Sequence, residues 1–122
     1  MLKGISPILS PELLKALAEM GHGDELVIAD GNFPCHSYGK NAIVIRADGH
    51  GVPEILDASM QLLPLDTYVE KPVGLMEIVK GDTCPTPPIW EEYEKMLNKY
   101  EPEHRDTEYI ERFAVYERAR KA

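Results

Sequence analysis

Leu26-Val27-Ile28-Ala29 is a continuous apolar run that closes on Asp30-Gly31-Asn32, and its reading decides the fold. Four apolar residues with no polar alternation suit a strand buried on both faces, as in a parallel sheet. The turn cluster after it extends through Phe33-Pro34. Ala42-Ile43-Val44-Ile45 repeats the pattern and is closed by Arg46 and Asp48-Gly49. Val73 to Val79 reads as a third strand, weakened by Gly74.

Helical signals lie between these runs. Ser10 can cap, Pro11 suits the first helical position, and Glu12 favours the positive helix end. Leu13, Leu14 and Leu17 then share a face and Gly21 supplies a stop, which predicts a helix over about 11–20. Pro53 opens a second helix, with Ile55, Leu56, Met60 and Leu63 in one stripe before Pro64. Gly81 to Pro88 is a loop, and Glu101 to Asp106 a polar linker. Between them Ile89, Trp90, Tyr93, Met96, Leu97 and Tyr100 repeat at amphipathic helical spacing. Ile110 to Ala122 is a last helix that runs out with no Gly, Asn or Pro to stop it, so the chain reads as truncated relative to its fold. Strands alternating with helices predict an α/β domain in which helices cover a mostly parallel sheet.

The composition agrees with a single domain of 122 residues, 43% hydrophobic and 28% charged. A net charge of −8 argues against nucleic acid or an anionic membrane as the main partner, because both require a basic patch. No apolar stretch is long enough to span a bilayer, and the N-terminus lacks the apolar core of a secretory signal. Two cysteines, Cys35 and Cys84, make no disulfide framework, so a cytoplasmic protein with reduced thiols is expected.

Chemistry is concentrated in a few places. Gly21-His22-Gly23-Asp24 joins a helix end to an apolar run, and flanking glycines let a ligand approach the imidazole closely. Imidazoles titrate near pH 6.5, at about the point where one group can both give and take a proton. The bland alternative is a helix C-cap in which His22 covers a carbonyl. Asp30 closes the first apolar run, where open α/β sheets place their ligands, and a turn aspartate bonding its own backbone fits equally well. Asp48-Gly49-His50-Gly51 repeats the glycine-bracketed pattern, with turn chemistry as a sufficient explanation. Arg112 offers a guanidinium fork suited to vicinal hydroxyls, against a pairing with Glu108 or Glu111. His22, Asp24, Asp30, Cys35, His36 and His50 match no zinc-ligand spacing, so no metal is expected. Cys35 and His36, being adjacent, make a poor nucleophile pair, and no phosphate-binding loop or serine-hydrolase motif is present. Trp90 and Tyr116 read as core or interface.

Several stretches together resemble the fucose and ribose mutarotase family (RbsD/FucU). They are Ser6-Pro7 with Leu9-Ser10-Pro11-Glu12-Leu13-Leu14, Ala18-Glu19-Met20-Gly21-His22-Gly23-Asp24, and Ala29-Asp30-Gly31-Asn32-Phe33-Pro34. Ile45-Arg46-Ala47-Asp48-Gly49, Leu62-Leu63-Pro64-Leu65-Asp66-Thr67-Tyr68 and Glu111-Arg112-Phe113-Ala114-Val115-Tyr116-Glu117-Arg118-Ala119 continue the likeness over nearly the whole chain. The fucose branch is nearer than the ribose branch, through the Leu-Asp-Thr-Tyr and Arg-Phe-x-x-Tyr-Glu-Arg-Ala stretches. The resemblance implies a three-layer α/β domain, with helices packed on a mostly parallel central sheet, that assembles into homo-oligomers with sites near subunit contacts. It implies an isomerase that interconverts the α and β anomers of a free monosaccharide, with L-fucose favoured. His22 matches the family's proton donor, and Asp30 and Arg112 match substrate-binding positions. The family pattern continues into a further strand and a Tyr-Gly-Asn motif that contacts the sugar, whereas this sequence has neither. Cys35 stands where many relatives carry alanine. Loss of a terminal strand exposes apolar surface, so poor solubility is expected.

Mutarotation opens a hemiacetal and closes it on the other carbonyl face, which needs no redox cofactor, metal or covalent intermediate. His22 is then the acid for the ring oxygen, Asp30 holds a sugar hydroxyl and Arg112 orients the sugar. The base for the anomeric hydroxyl is left unassigned. The rival expectation is a sugar-binding accessory or regulatory protein with little turnover.

Overall fold

The computed structural model describes residues 2–78, 88–103 and 106–122. Helix α1 spans Pro11–Glu19, and its start follows the sequence signals closely. The Ser10 hydroxyl accepts the Leu13 N–H at 3.2 Å, Pro11 occupies the first turn and Glu12 faces the positive end. The helix ends one residue earlier than expected, with Met20 as its C-cap. Leu13 and Leu17 are buried and join Leu9 and Ala58 in the core, with Ile5, Ile8, Met20 and Leu63 packed around them. Each such leucine contributes about 1.5–3 kcal/mol on leaving water.

A one-turn helix α2, Cys35–Tyr38, follows directly on the turn cluster that ends at Pro34, where the sequence predicts no element. Helix α3, Val52–Met60, takes the predicted second-helix position. Its first turn is closed by Glu54, whose Oε1 accepts the Gly51 N–H at 2.8 Å and lies 3.1 Å from His50 Nδ1. Strand β1, Val73–Met76, is shorter than expected, and Val79 lies outside the described residues. The predicted loop, with Cys84, lies outside them also, except for Pro88. Helix α4, Pro88–Tyr100, buries Leu97 and docks on α3, where Tyr100 Oη donates to Asp57 Oδ1 at 2.6 Å. Strand β2, Thr107–Ile110, falls between the linker read to Asp106 and the helix read from Ile110, where the sequence predicts no strand. Helix α5, Arg112–Arg120, is capped by Glu111, which accepts the N–H groups of Phe113 and Ala114 at 2.9 and 3.1 Å.

The sheet requires a correction. Among the described residues it has two strands, β1 and β2, paired in parallel with Val73 opposite Thr107 and Met76 opposite Ile110. The fold is a small α/β arrangement of helices on this short sheet, and not a three-layer domain around a larger one. Residues 26–29 and 42–45, expected as buried strands, belong to neither helix nor strand. Val27 is 41% exposed and Ile43 is 70% exposed. Apolar character alone makes a run willing to pair, but a strand exists only where a neighbour completes its hydrogen bonds. Here that neighbour is absent among the described residues, and the two runs instead line a groove of about 1020 Å³.

Further contacts join the sheet and helix α5 to the rest of the chain. β1 and β2 approach closely at Gly74, where a Cβ would stand 2.8 Å from Ile110 Cδ1. Arg118 of α5 reaches Glu25 through Nε at 3.1 Å and hydrogen-bonds Glu108 of β2 through Nη1. Glu108 first, and then Glu25, holds the guanidinium above its ordinary range and firmly protonated.

Candidate functional site

The turn after α1 is shaped by its glycines and by Asp24. Asp24 Oδ2 accepts the Gly21 N–H at 2.8 Å, and the Asp24 N–H returns to the Gly21 carbonyl at 3.1 Å. Gly23 sits at φ 89°, a conformation that L side chains rarely adopt. This reversal directs two neighbouring groups at one carboxylate. His22 Nδ1 lies 2.9 Å from Asp66 Oδ1, and the Gly23 N–H donates to Asp66 Oδ2 at 3.2 Å. A third bond comes from the Tyr68 N–H to Oδ1 at 3.0 Å. That backbone bond, followed by the one from His22, pulls the Asp66 carboxyl below its ordinary range against a smaller opposing cost of desolvation.

The His22 side chain is 71% exposed, while Asp66 beneath it is 22% exposed. A carboxylate on Nδ1 fixes ring orientation and leaves Nε2 as the nitrogen that Asp66 does not engage. Tyr68 stands beside the imidazole, ring centroids 4.6 Å apart at 84°. The imidazole thus binds a carboxylate and not a helix carbonyl, and the C-cap of α1 is made by Met20. Gly23 and Asp24 line the groove, whereas His22, Asp66 and Tyr68 are not among its lining residues.

Asp30 also lines the groove, with Oδ1 accepting the Asn32 N–H at 3.0 Å in a local turn. Arg112 is held elsewhere, on α5. Its Nε lies 3.3 Å from Tyr116 Oη, and its guanidinium covers the rings of Phe113 and Tyr116 at 5.5 and 5.7 Å. The Tyr116 hydroxyl is the main reason the Arg112 guanidinium is held above its ordinary range. Glu108 and Glu111, its expected partners, are engaged by Arg118 and by the α5 N-terminus.

Asp30 and Arg112 are nonetheless linked through aromatic rings. The Phe33 N–H donates to the Asp30 carbonyl at 3.1 Å, and the Phe33 ring meets Tyr116 edge-on at 5.2 Å. Tyr38 closes this cluster against Tyr116 at 5.2 Å, under the Arg120 guanidinium. His22 belongs to the separate Asp66–Tyr68 cluster, which shares none of these contacts with Asp30 or Arg112.

Asp66 was missed as a functional candidate. Its stretch carries the Asp-x-Tyr spacing of a side-chain-closed turn, which signals the turn but not the bond to His22. Among the described residues, no three His, Cys, Asp or Glu side chains converge as a metal site. No described helix is long and apolar enough to cross a membrane.

Comparison with known proteins defines the class. The chain is 52% identical over 124 residues to the fucose mutarotase of Homo sapiens, covering 99% of this chain and 80% of that protein. The crystal structure of FucU from Bifidobacterium longum superposes with a TM-score of 0.92 at 57% identity, over 98% of this chain and 84% of that one. The fucose mutarotase of Streptococcus pneumoniae, solved in complex with L-fucose, gives a TM-score of 0.90 at 43% identity, over 99% and 84%. The class is that of the mutarotases, isomerases of carbohydrates. More narrowly, the profile of the RbsD / FucU transport protein family matches residues 3–122, and the chain belongs to that family.

Proposed function

We propose that this protein interconverts the α and β anomers of L-fucose, with His22 as the general acid–base group. The observation that carries this reading is the imidazole anchored through Nδ1 on Asp66 and exposed over most of its surface. In the protonated imidazole, Nε2–H faces the ligand and Asp66 stabilises the charge. Transfer of that proton to the ring oxygen breaks the C1–O5 bond as the anomeric hydroxyl yields its proton to a base, with water able to serve. The open-chain aldehyde rotates, the hydroxyl adds to the opposite carbonyl face, and His22 recovers its proton. No net proton or electron is consumed. One such group supplies typically about 10²- to 10⁴-fold acceleration.

Asp30 and Arg112 are proposed as sugar contacts, Asp30 from the groove and Arg112 from its aromatic seat. Positioning of the pyranose by these groups keeps the ring oxygen within reach of Nε2. We place the protein in the cytoplasm as a single-domain chain forming homo-oligomers, with the exposed rims of both clusters near the subunit contacts.

Saturation-transfer NMR of anomer exchange in L-fucose tests the reading. The parent protein should exchange anomers far faster than buffer, and His22→Ala should return the rate towards that of buffer. Equal rates for parent and His22→Ala would overturn the acid role. Fucose binding with exchange no faster than buffer in the parent would favour an accessory sugar-binding protein instead.

A further inference from the structure

We infer that Tyr68 is a sugar-contacting wall of the His22 site, presenting its ring to the apolar C–H face of the pyranose. The inference rests on the mutarotase reading and extends it to a residue with no role in the chemistry above. Tyr68 is 81% exposed, more than any other large apolar or aromatic side chain described. Exposed rings of this size usually turn aside to cover apolar neighbours, because about 25 cal/mol is gained per Å² removed from water. Tyr68 instead keeps that exposure, with its ring set against the imidazole. Its backbone N–H is fixed on Asp66 Oδ1, the same oxygen that receives His22 Nδ1, and its ring meets the imidazole nearly at right angles.

Two rings at 84° make a corner with chemically different walls. One wall is a titratable imidazole and the other an apolar phenol face with a polar tip. A pyranose matches that pairing. Its ring oxygen and hydroxyls form a polar periphery around a face of C–H bonds, and a 6-deoxy sugar adds a methyl group. Seating the C–H face on Tyr68 brings the ring oxygen alongside His22. One carboxylate thus anchors both the imidazole and the backbone from which the Tyr68 ring projects.

Steady-state anomer exchange on the full chain tests this with Tyr68→Ala, Tyr68→Leu and Tyr68→Phe. Tyr68→Phe should keep the parent KM, since the ring and not the hydroxyl makes the contact. Tyr68→Ala should raise KM by about tenfold with kcat little changed, the scale of one aromatic contact, and Tyr68→Leu should fall between. In the parent protein, titration with L-fucose should shift the Tyr68 ring protons, a readout independent of any variant's folding. An unchanged KM in Tyr68→Ala, or Tyr68 ring signals unmoved by saturating fucose, would overturn the inference. A fall in kcat alone, accompanied by a displaced His22 imidazole signal, would overturn it too and make Tyr68 a positioning residue only. If the parent itself fails to accelerate exchange, the mutarotase reading fails, and the ring-proton titration still judges the wall.

Discussion

His22 Nδ1 and Asp66 Oδ1 stand 2.9 Å apart across 44 residues of sequence. The pair joins the turn after the first helix to the segment after α3, and it sets which imidazole nitrogen faces outward. Asp66→Asn would keep the shape and remove the charge. An amide can present its NH₂ to Nδ1 and reverse the tautomer. Anomer exchange is expected to fall by about two orders of magnitude, with the far-ultraviolet circular dichroism unchanged.

The Asp66 carboxyl is lowered first by the Tyr68 N–H and then by His22, so its hold on both has a defined pH window. A depressed carboxyl stabilises the folded form fully above the unfolded pKa, and the contribution disappears as pH falls through the lower folded value. The Gly23 and Tyr68 amide signals should therefore stay constant down to about pH 4, the ordinary aspartate value, and shift only below it. A midpoint above that value in a carboxyl-detected titration would contradict the three-bond geometry.

Arg112→Lys should separate binding from chemistry. Lysine keeps the positive charge but lacks the planar fork that lies over Phe113 and Tyr116. The expected outcome is a KM for L-fucose raised several-fold with little loss of kcat, measured by the same exchange experiment. A pure kcat defect would remove Arg112 from sugar orientation.

Packing and groove predict opposite responses. Leu97 of α4 is 2% exposed, and Leu97→Ala should cost about 2–5 kcal/mol in chemical denaturation. Ile43 is 70% exposed, so Ile43→Lys should change stability by no more than about 0.5 kcal/mol. It should also reduce self-association in light scattering, because it breaks an apolar surface.

The helices were legible because their signals are local. Ser10-Pro11-Glu12 starts α1 in sequence and in space, and the Ile89–Tyr100 periodicity matches α4. Short elements were not. Cys35–Tyr38 gives one turn after a proline, and Thr107–Ile110 gives a strand whose stability comes from β1, more than thirty residues earlier. The runs at 26–29 and 42–45 were read as strands from composition, yet pairing is a property of the neighbour and not of the run. In the candidate site, glycine flanks drew attention to His22, while Asp66 escaped because nothing near either residue announces a bond across that separation. Asp30 makes the local turn bond that one of its readings expected, and it also lines the groove, where its proposed sugar contact would lie.

Arg118 grips Glu25 and Glu108 together, one from the segment behind the His22 turn and one from β2. This joint is fault-tolerant on its acidic side, since drift at either glutamate leaves the guanidinium a second anchor. On its basic side Arg118 alone joins the two glutamates among the described residues, so replacing it would leave two carboxylates without their shared cation, while the Phe33–Tyr38–Tyr116 rings still hold helix α5 and the Arg112 it carries.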